Sequence, residues 1–235
     1  MCTVTYFPLE QDGYILTSSR DEKSVRGIAL PPRKYLLEQQ TVFFPKDPDA
    51  GGTWFVTTGR DTTLCLLNGA FTKHEHEPPY RKSRGLVVLD YFKFRDTEDF
   101  RTNNNFHGVE PFTLVIIKPG SLVEFKWDGE NTHCKNLNST VPAIWSSVTL
   151  YEPEVINARQ EWYHQWLQQH HEDSQENLMT FHLFGGKGDV RNSVFMNREN
   201  KVRTVSITSI FSNKQETCLQ YSDVLQDKKY KIRII

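Results

Sequence analysis

Residues 1–22 read MCTVTYFPLEQDGYILTSSRDE, and their alternation decides the fold. Two runs rich in β-branched and aromatic residues, Cys2 to Phe7 and Tyr14 to Ser19, flank the turn dipeptide Asp12-Gly13, which predicts an antiparallel hairpin. With Leu9 to Gly13 as its loop, Pro8 faces Tyr14 and Cys2 faces Arg20, to within about two residues of register. The run Ser19-Arg20-Asp21-Glu22 then lands beside the Cys2 thiol.

That placement makes Cys2 the candidate nucleophile. Met1 removal is favoured before a small residue, and the processed chain would carry a thiol and a free α-amine on one residue. An α-amine titrates at about 7.7 to 8.0 and a thiol at about 8.5, so near neutral pH the amine can accept the thiol proton without a partner histidine. Arg20 is expected to favour the thiolate, and Asp21 to orient the α-amine or a substrate amide by charge-assisted hydrogen bonds.

Outward from the hairpin, β-type runs recur at Trp54 to Thr58, Thr62 to Leu67, Phe112 to Ile117 and Leu122 to Trp127, then at Val190 to Met196, Val202 to Ile207 and Tyr230 to Ile235. Pro119-Gly120 and Asp128-Gly129 mark turns that make the strands from Phe112 onward an antiparallel meander. One helix is predicted from about Lys82 to Phe94, and a second after Pro153 with Ile156, Tyr163, Trp166 and Leu167 on its apolar side. Each amphipathic helix must bury its stripe, which implies sheets with helices packed on their outer faces. Lys23 to Gln40 and Thr72 to Tyr80 are expected as long surface loops. At 235 residues the default is one domain over 1–235.

A formal charge of −1 leaves no basic excess for nucleic acid. No apolar stretch approaches the length of a membrane span and the first residues lack a signal core, so a cytoplasmic protein with a small-molecule partner is expected. Cys2, Cys65, Cys134 and Cys218 form no C-x-x-C pair, which favours reduced thiols over a zinc ribbon. Cys65, within Leu64-Cys65-Leu66-Leu67, is expected to be buried, and Cys134 and Cys218, in polar stretches, to be exposed.

Cys2 after the initiator, Ser19-Arg20-Asp21-Glu22 closing the hairpin and Gly51-Gly52-Thr53-Trp54 opening the third strand together resemble the NRDE family, also called the transport and Golgi organisation protein 2 family. The resemblance continues through Leu67-Asn68-Gly69-Ala70, Ser83-Arg84-Gly85 and Val190-Arg191-Asn192-Ser193, the last placed on a strand. It implies an α+β fold, a four-layer αββα sandwich of largely antiparallel sheets similar to the N-terminal-nucleophile hydrolases. In that carry-over Cys2 is the nucleophile, Arg20 and Asp21 its neighbours and Asn68 an oxyanion donor, with Glu22, Gly52, Trp54 and Arg191 as substrate-binding positions. The chain departs from the family at Ser19, where the first motif begins with Asn, and at Val205-Ser206-Ile207-Thr208, which lacks the usual Glu-Arg.

Two functions follow: a cysteine hydrolase acting on a carbon–nitrogen bond of a small amide, or a carrier that keeps the scaffold. No cofactor is expected for the first. For the second, the family's connection with haem trafficking and with lipid phenotypes implies haem or a lipid-like ligand, with Cys2 or a histidine on the iron. His74-Glu75-His76-Glu77 offers imidazoles two residues apart, but in a polar loop before Pro78-Pro79 it reads as a solvated turn rather than a metal site. Gly185-Gly186-Lys187-Gly188 lacks phosphate-loop spacing and is expected as a flexible turn.

Overall fold

The computed structural model describes residues 3–169 and 174–235. They divide into two compact units, one formed by the chain up to Arg26 with Ser139–Ile235, the other by Gly27–Asn138. The chain begins with the expected hairpin, β1 (Thr3–Pro8) and β2 (Tyr14–Lys23), in which Pro8 opposes Tyr14 and Thr3 opposes Ser19. Gln11 and Asp12 make the reversal with φ of 55° and 62°, the left-handed region that such a turn needs. Cys2, expected opposite Arg20, lies outside the described residues.

The second unit follows in chain order as β3 (Leu30–Leu37), β4 (Gln40–Lys46), β5 (Phe55–Thr57), β6 (Thr63–Asn68), helices α1 (Arg84–Asp90) and α2 (Thr97–Asn103), then β7 (Phe112–Lys118), β8 (Ser121–Trp127) and β9 (Thr132–Leu137). The seven strands pair in sequence order as one antiparallel sheet. Leu30–Leu37, within the stretch from Lys23 to Gln40 expected as a loop, is instead β3. It escapes detection because it is a largely exposed edge strand carrying Pro31-Pro32, where its register with β4 is irregular, and because its turn uses Glu38 and Gln39 at φ 44° and 67° in place of Gly or Asn. Phe100, Phe106, Phe112 and Phe125 form this unit's aromatic core, with ring centroids 5.1 to 6.1 Å apart.

The first unit resumes with β10 (Ala143–Ser146), α3 (Pro153–Gln169), α4 (Gln175–Phe184), the two-residue β11 (Asn197–Arg198), β12 (Val202–Ser212), β13 (Thr217–Asp223) and β14 (Lys228–Arg233). Its sheet runs β10-β1-β2-β12-β13-β14, with β11 on β12, again antiparallel. Ile15 of β2 packs with Tyr163 of α3, Leu178 and Phe181 of α4, and Val194, so both helices cover one face of this sheet. The sequence missed α4, whose signals are the Ser174 cap, accepting from Asn177 N at 3.1 Å, and the buried Leu178, Phe181 and His182 at helical spacing. The glycine run at 185–188 is the stop of this helix, with Gly185 N donating to Phe181 O at 2.7 Å.

Two further expectations are corrected. Val190 to Met196 is not a strand: Asn192 N and Ser193 N bond to Asp189 O, and Asn192 Nδ2 to Asp189 Oδ2, local bonds that compete with a ladder. Cys218 is buried rather than exposed, because β13 lies between β12 and β14 and Gln175 of α4 crosses it, donating to the Cys218 carbonyl. Cys65 is buried and Cys134 exposed, as expected. Among the described residues no helix is long and apolar enough to cross a membrane.

Candidate functional site at the β1–β2–β12 edge

Beyond the Thr3–Ser19 pair, β2 continues through Arg20, Asp21 and Glu22 in register with β12, which brings these three residues to the end of the sheet where the described part of β1 starts. Alternation sends Arg20 and Asp21 to opposite faces. Ser19 and Asp21 share the face covered by α3 and α4; Arg20 lies on the other, 3% exposed, with its Nη2 3.3 Å from Glu22 Oε2.

On the helix face Asp21 is 4% exposed and takes donors on both oxygens: Thr204 Oγ1 at 2.6 Å on Oδ1 and the Tyr151 hydroxyl at 2.5 Å on Oδ2. Thr204 can do this because β12 carries an extra residue. Thr204 opposes Asp21 and Ser206 opposes Arg20, so Val205 is a bulge, and residues two apart on β12 point to opposite faces.

Arg159 of α3 completes the cluster. Its guanidinium lies 3.6 Å over the Tyr151 ring, donates to Ser193 O at 2.6 Å and Asn192 O at 3.0 Å, and reaches Thr3 Oγ1. It is wholly buried, and this network supplies the acceptors a buried cation requires. Thr3, the residue after Cys2, is thereby held by backbone pairing to Ser19 and Ser146 and by its own hydroxyl. On the same sheet face, His182 of α4 joins Thr5 Oγ1 (2.8 Å) to Ser19 Oγ (2.7 Å). Burial, with a smaller contribution from the Arg159 charge, pushes its pKa down to about 3, so it is neutral at physiological pH and ties the hairpin to α4. Ser19, at the departure from the family's Asn, is thus a partner of His182.

The sequence reading did not single out Tyr151, Arg159, His182 or Thr204. Arg159 had a legible signal: it stands between Ile156 and Tyr163 on the apolar side of α3, where a charge needs a reason.

Of the remaining candidates, Asn68, Gly52 and Trp54 belong to the second unit and Arg191 to the first. Asn68 is the last residue of β6, opposite Phe112 in the second unit, and Gly69 after it has φ 81°. Gly52 lies against α1: a Cβ there would meet Gly85 C at 2.3 Å, and Thr53 N bonds to Gly85 O at 3.1 Å. Gly51 has φ 70°, so the pair combines a left-handed turn with a close backbone approach. Trp54 is buried and precedes β5 by one residue. Arg191 is exposed and pairs with Glu199 at 2.6 Å. In the second unit, His74 and His76 both approach Glu110 Oε1, at 3.1 and 3.3 Å, while Arg84 holds its Oε2 at 3.0 Å.

The sequence matches the family described as Transport and Golgi organisation 2 over residues 1–185. No curated protein sequence matches it. Two variants of the conjugated bile acid hydrolase from Clostridium perfringens are similar in structure, with a TM-score of 0.58, 11% and 12% identity, and coverage of 99% of this chain and 92% of theirs. The Caenorhabditis elegans orthologue of N-acylethanolamine-hydrolyzing acid amidase is similar at TM-score 0.54 and 12% identity, over 89% of this chain and 92% of its own. At such identities the likeness shows the fold, which is the α+β fold of the N-terminal-nucleophile hydrolases.

Proposed function

This chain belongs to the Transport and Golgi organisation 2 family, and from that premise we propose that it is a cysteine hydrolase cleaving the carbon–nitrogen bond of a small amide, with Cys2 as nucleophile after Met1 removal. The observation that carries the reading is the clamp on Thr3. A residue bonded to Cys2 is fixed by two strands and by a buried arginine, at the sheet end where Arg20 and Asp21 emerge. A nucleophile on a rigid element loses less freedom on reaching attack geometry. The solved neighbours, one named a conjugated bile acid hydrolase and the other an acid amidase, agree with an amide as substrate.

In this mechanism the α-amine takes the thiol proton, and the thiolate sulfur attacks the amide carbon. The carbon–nitrogen bond breaks, and the leaving amine carries away the proton from the α-ammonium. Water then hydrolyses the thioester and restores the thiol. Arg20 favours the thiolate electrostatically, and Asp21, held by Thr204 and Tyr151, supplies fixed negative charge at the sheet end.

The test begins with the intact mass of the purified protein, which reads Met1 removal. Processed protein is then given a panel of fluorogenic acyl amides, with Cys2→Ala as control. Turnover that disappears in Cys2→Ala supports the proposal. Processed, folded protein that turns over no acyl amide and shows no acyl-enzyme by mass overturns it, and leaves the carrier of haem or a lipid-like ligand as the reading to pursue.

A further inference from the structure

β14 is the last strand of the first unit's sheet, and among the described residues no strand pairs with its outer edge. Its register with β13 fixes what that edge presents. Ile234 N donates to Thr217 O at 2.8 Å, so the hydrogen-bonded positions recur at Ile232, Tyr230 and Lys228, opposite Leu219, Tyr221 and Asp223. The backbone N–H and C=O groups of Lys229, Lys231 and Arg233 therefore point away from β13, toward the open edge.

The same three residues carry charge, and they carry it on one face. Lys231 opposes Gln220, whose Nε2 donates to Gln175 Oε1 at 2.9 Å and to Glu176 Oε1 at 3.0 Å on α4, so alternation puts Lys229, Lys231 and Arg233 in a row on the α4 side of the strand. All three are exposed. Two acids adjoin the row without neutralising it. Glu176 is engaged by Gln220, whose hydrogen bond lowers its pKa with a smaller contribution from the Lys231 charge, and Glu216 stands 3.8 Å from Arg233 Nη2 in an exposed pair of the kind that contributes little.

An open edge of this kind takes another strand. A second copy of β14 is a poor one, because antiparallel pairing about Lys231 would set Lys231 against Lys231 and Lys229 against Arg233, and like charges directly opposite repel. A polyanion without peptide groups would meet the cations but leave the outward N–H and C=O groups unused. An extended peptide with carboxylates at alternate positions uses both, and its intervening residues would lie beside Tyr230 and Ile232 on the other face.

We propose that the outer edge of β14 docks an extended acidic peptide as an added strand, its alternate carboxylates against Lys229, Lys231 and Arg233. This edge takes no part in the hydrolase reading.

A fluorescein-labelled peptide, Thr-Glu-Val-Glu-Val-Glu-Thr, and its analogue with Gln for Glu are titrated into the full-length protein by anisotropy at low ionic strength. The acidic peptide is expected to bind about tenfold more tightly, the scale of three cross-strand charge pairs. Lys229→Gln combined with Lys231→Gln and Arg233→Gln is expected to bring the ratio to about one. Strand pairing is read separately, by amide hydrogen exchange in the parent: the N–H groups of Lys229, Lys231 and Arg233 are expected to exchange at least about tenfold more slowly at peptide saturation. Lys231→Pro deletes one outward N–H and leaves the β13 ladder intact, and is expected to weaken the acidic peptide more than Lys231→Gln does. Equal binding of the two peptides by the parent overturns the proposal, as does a preference that survives the triple change. Binding that leaves exchange at the three amides unchanged overturns it equally, and this measurement decides even where a variant does not fold. Tighter binding of an oligothymidylate, or of vesicles containing phosphatidylserine, also overturns it and makes the row a phosphate-binding surface instead.

Discussion

Thr204 Oγ1 donates to Asp21 Oδ1 at 2.6 Å across the β2–β12 ladder, and it does so only because Val205 is an extra residue. Without that bulge Thr204 and Ser206 would share one face; with it, Thr204 serves the carboxylate on the helix side while Ser206 stands beside Arg20 on the other.

Thr204→Val keeps the shape and removes the donor from a buried carboxylate, so the folded state is expected to lose about 1.5 to 3 kcal/mol. Thr204→Ser restores the hydroxyl and is expected to recover most of that loss. Urea midpoints of the two variants, read at constant m, check it, and equal midpoints would refute it.

His182 predicts an acid-side slope. Its folded pKa of about 3 lies below the ordinary 6.5, so between these values the unfolded state binds a proton that the folded state refuses. Its contribution is complete above about pH 6.5 and is lost progressively as pH falls toward 3, by about 1.4 kcal/mol per pH unit at most. Unfolding free energy measured from pH 7 to 4 in the parent and in His182→Gln is expected to show a shallower decline in the variant. Parallel curves would remove this histidine from the acid response.

Gly52→Val is expected to prevent folding or to cost more than about 3 kcal/mol, because its Cβ would stand 2.3 Å from the Gly85 carbonyl carbon, which belongs to backbone and cannot swing away. Gly51→Ala meets no atom within 4 Å and is disfavoured only by φ 70°, at about 1 to 2 kcal/mol. Soluble yield and thermal midpoint separate the two, and a milder effect at Gly52 than at Gly51 would contradict the packing.

Cysteine labelling tests the nucleophile. Cys65 and Cys218 are buried and should resist iodoacetamide until the protein unfolds. Cys134 is exposed, yet burial of its sulfur pushes the thiol pKa up, only partly opposed by Arg101, so it should label slowly near neutral pH. Cys2 is expected to label fastest, with a rate that drops in Arg20→Gln. Peptide masses over a pH series decide it, and a Cys2 no faster than Cys134 would end the activated-thiolate account.

The sequence by itself determined whatever depends on neighbours along the chain. The β1–β2 hairpin with Pro8 opposite Tyr14, the meander from Phe112, the helix after Pro153 and the special geometry of Gly51-Gly52 follow from alternation, turn chemistry and glycine's freedom, which are local. Tertiary structure alone decided the rest. β3 is an edge strand without strand composition, and α4 takes its stability from the core formed by Ile15 and Tyr163. Tyr151, Arg159 and Thr204 reach Thr3 and Asp21 from 130 to 183 residues away in the chain. No spacing rule encodes such meetings, because they depend on which face each strand turns inward, and at Asp21 that was set by a single inserted residue in β12.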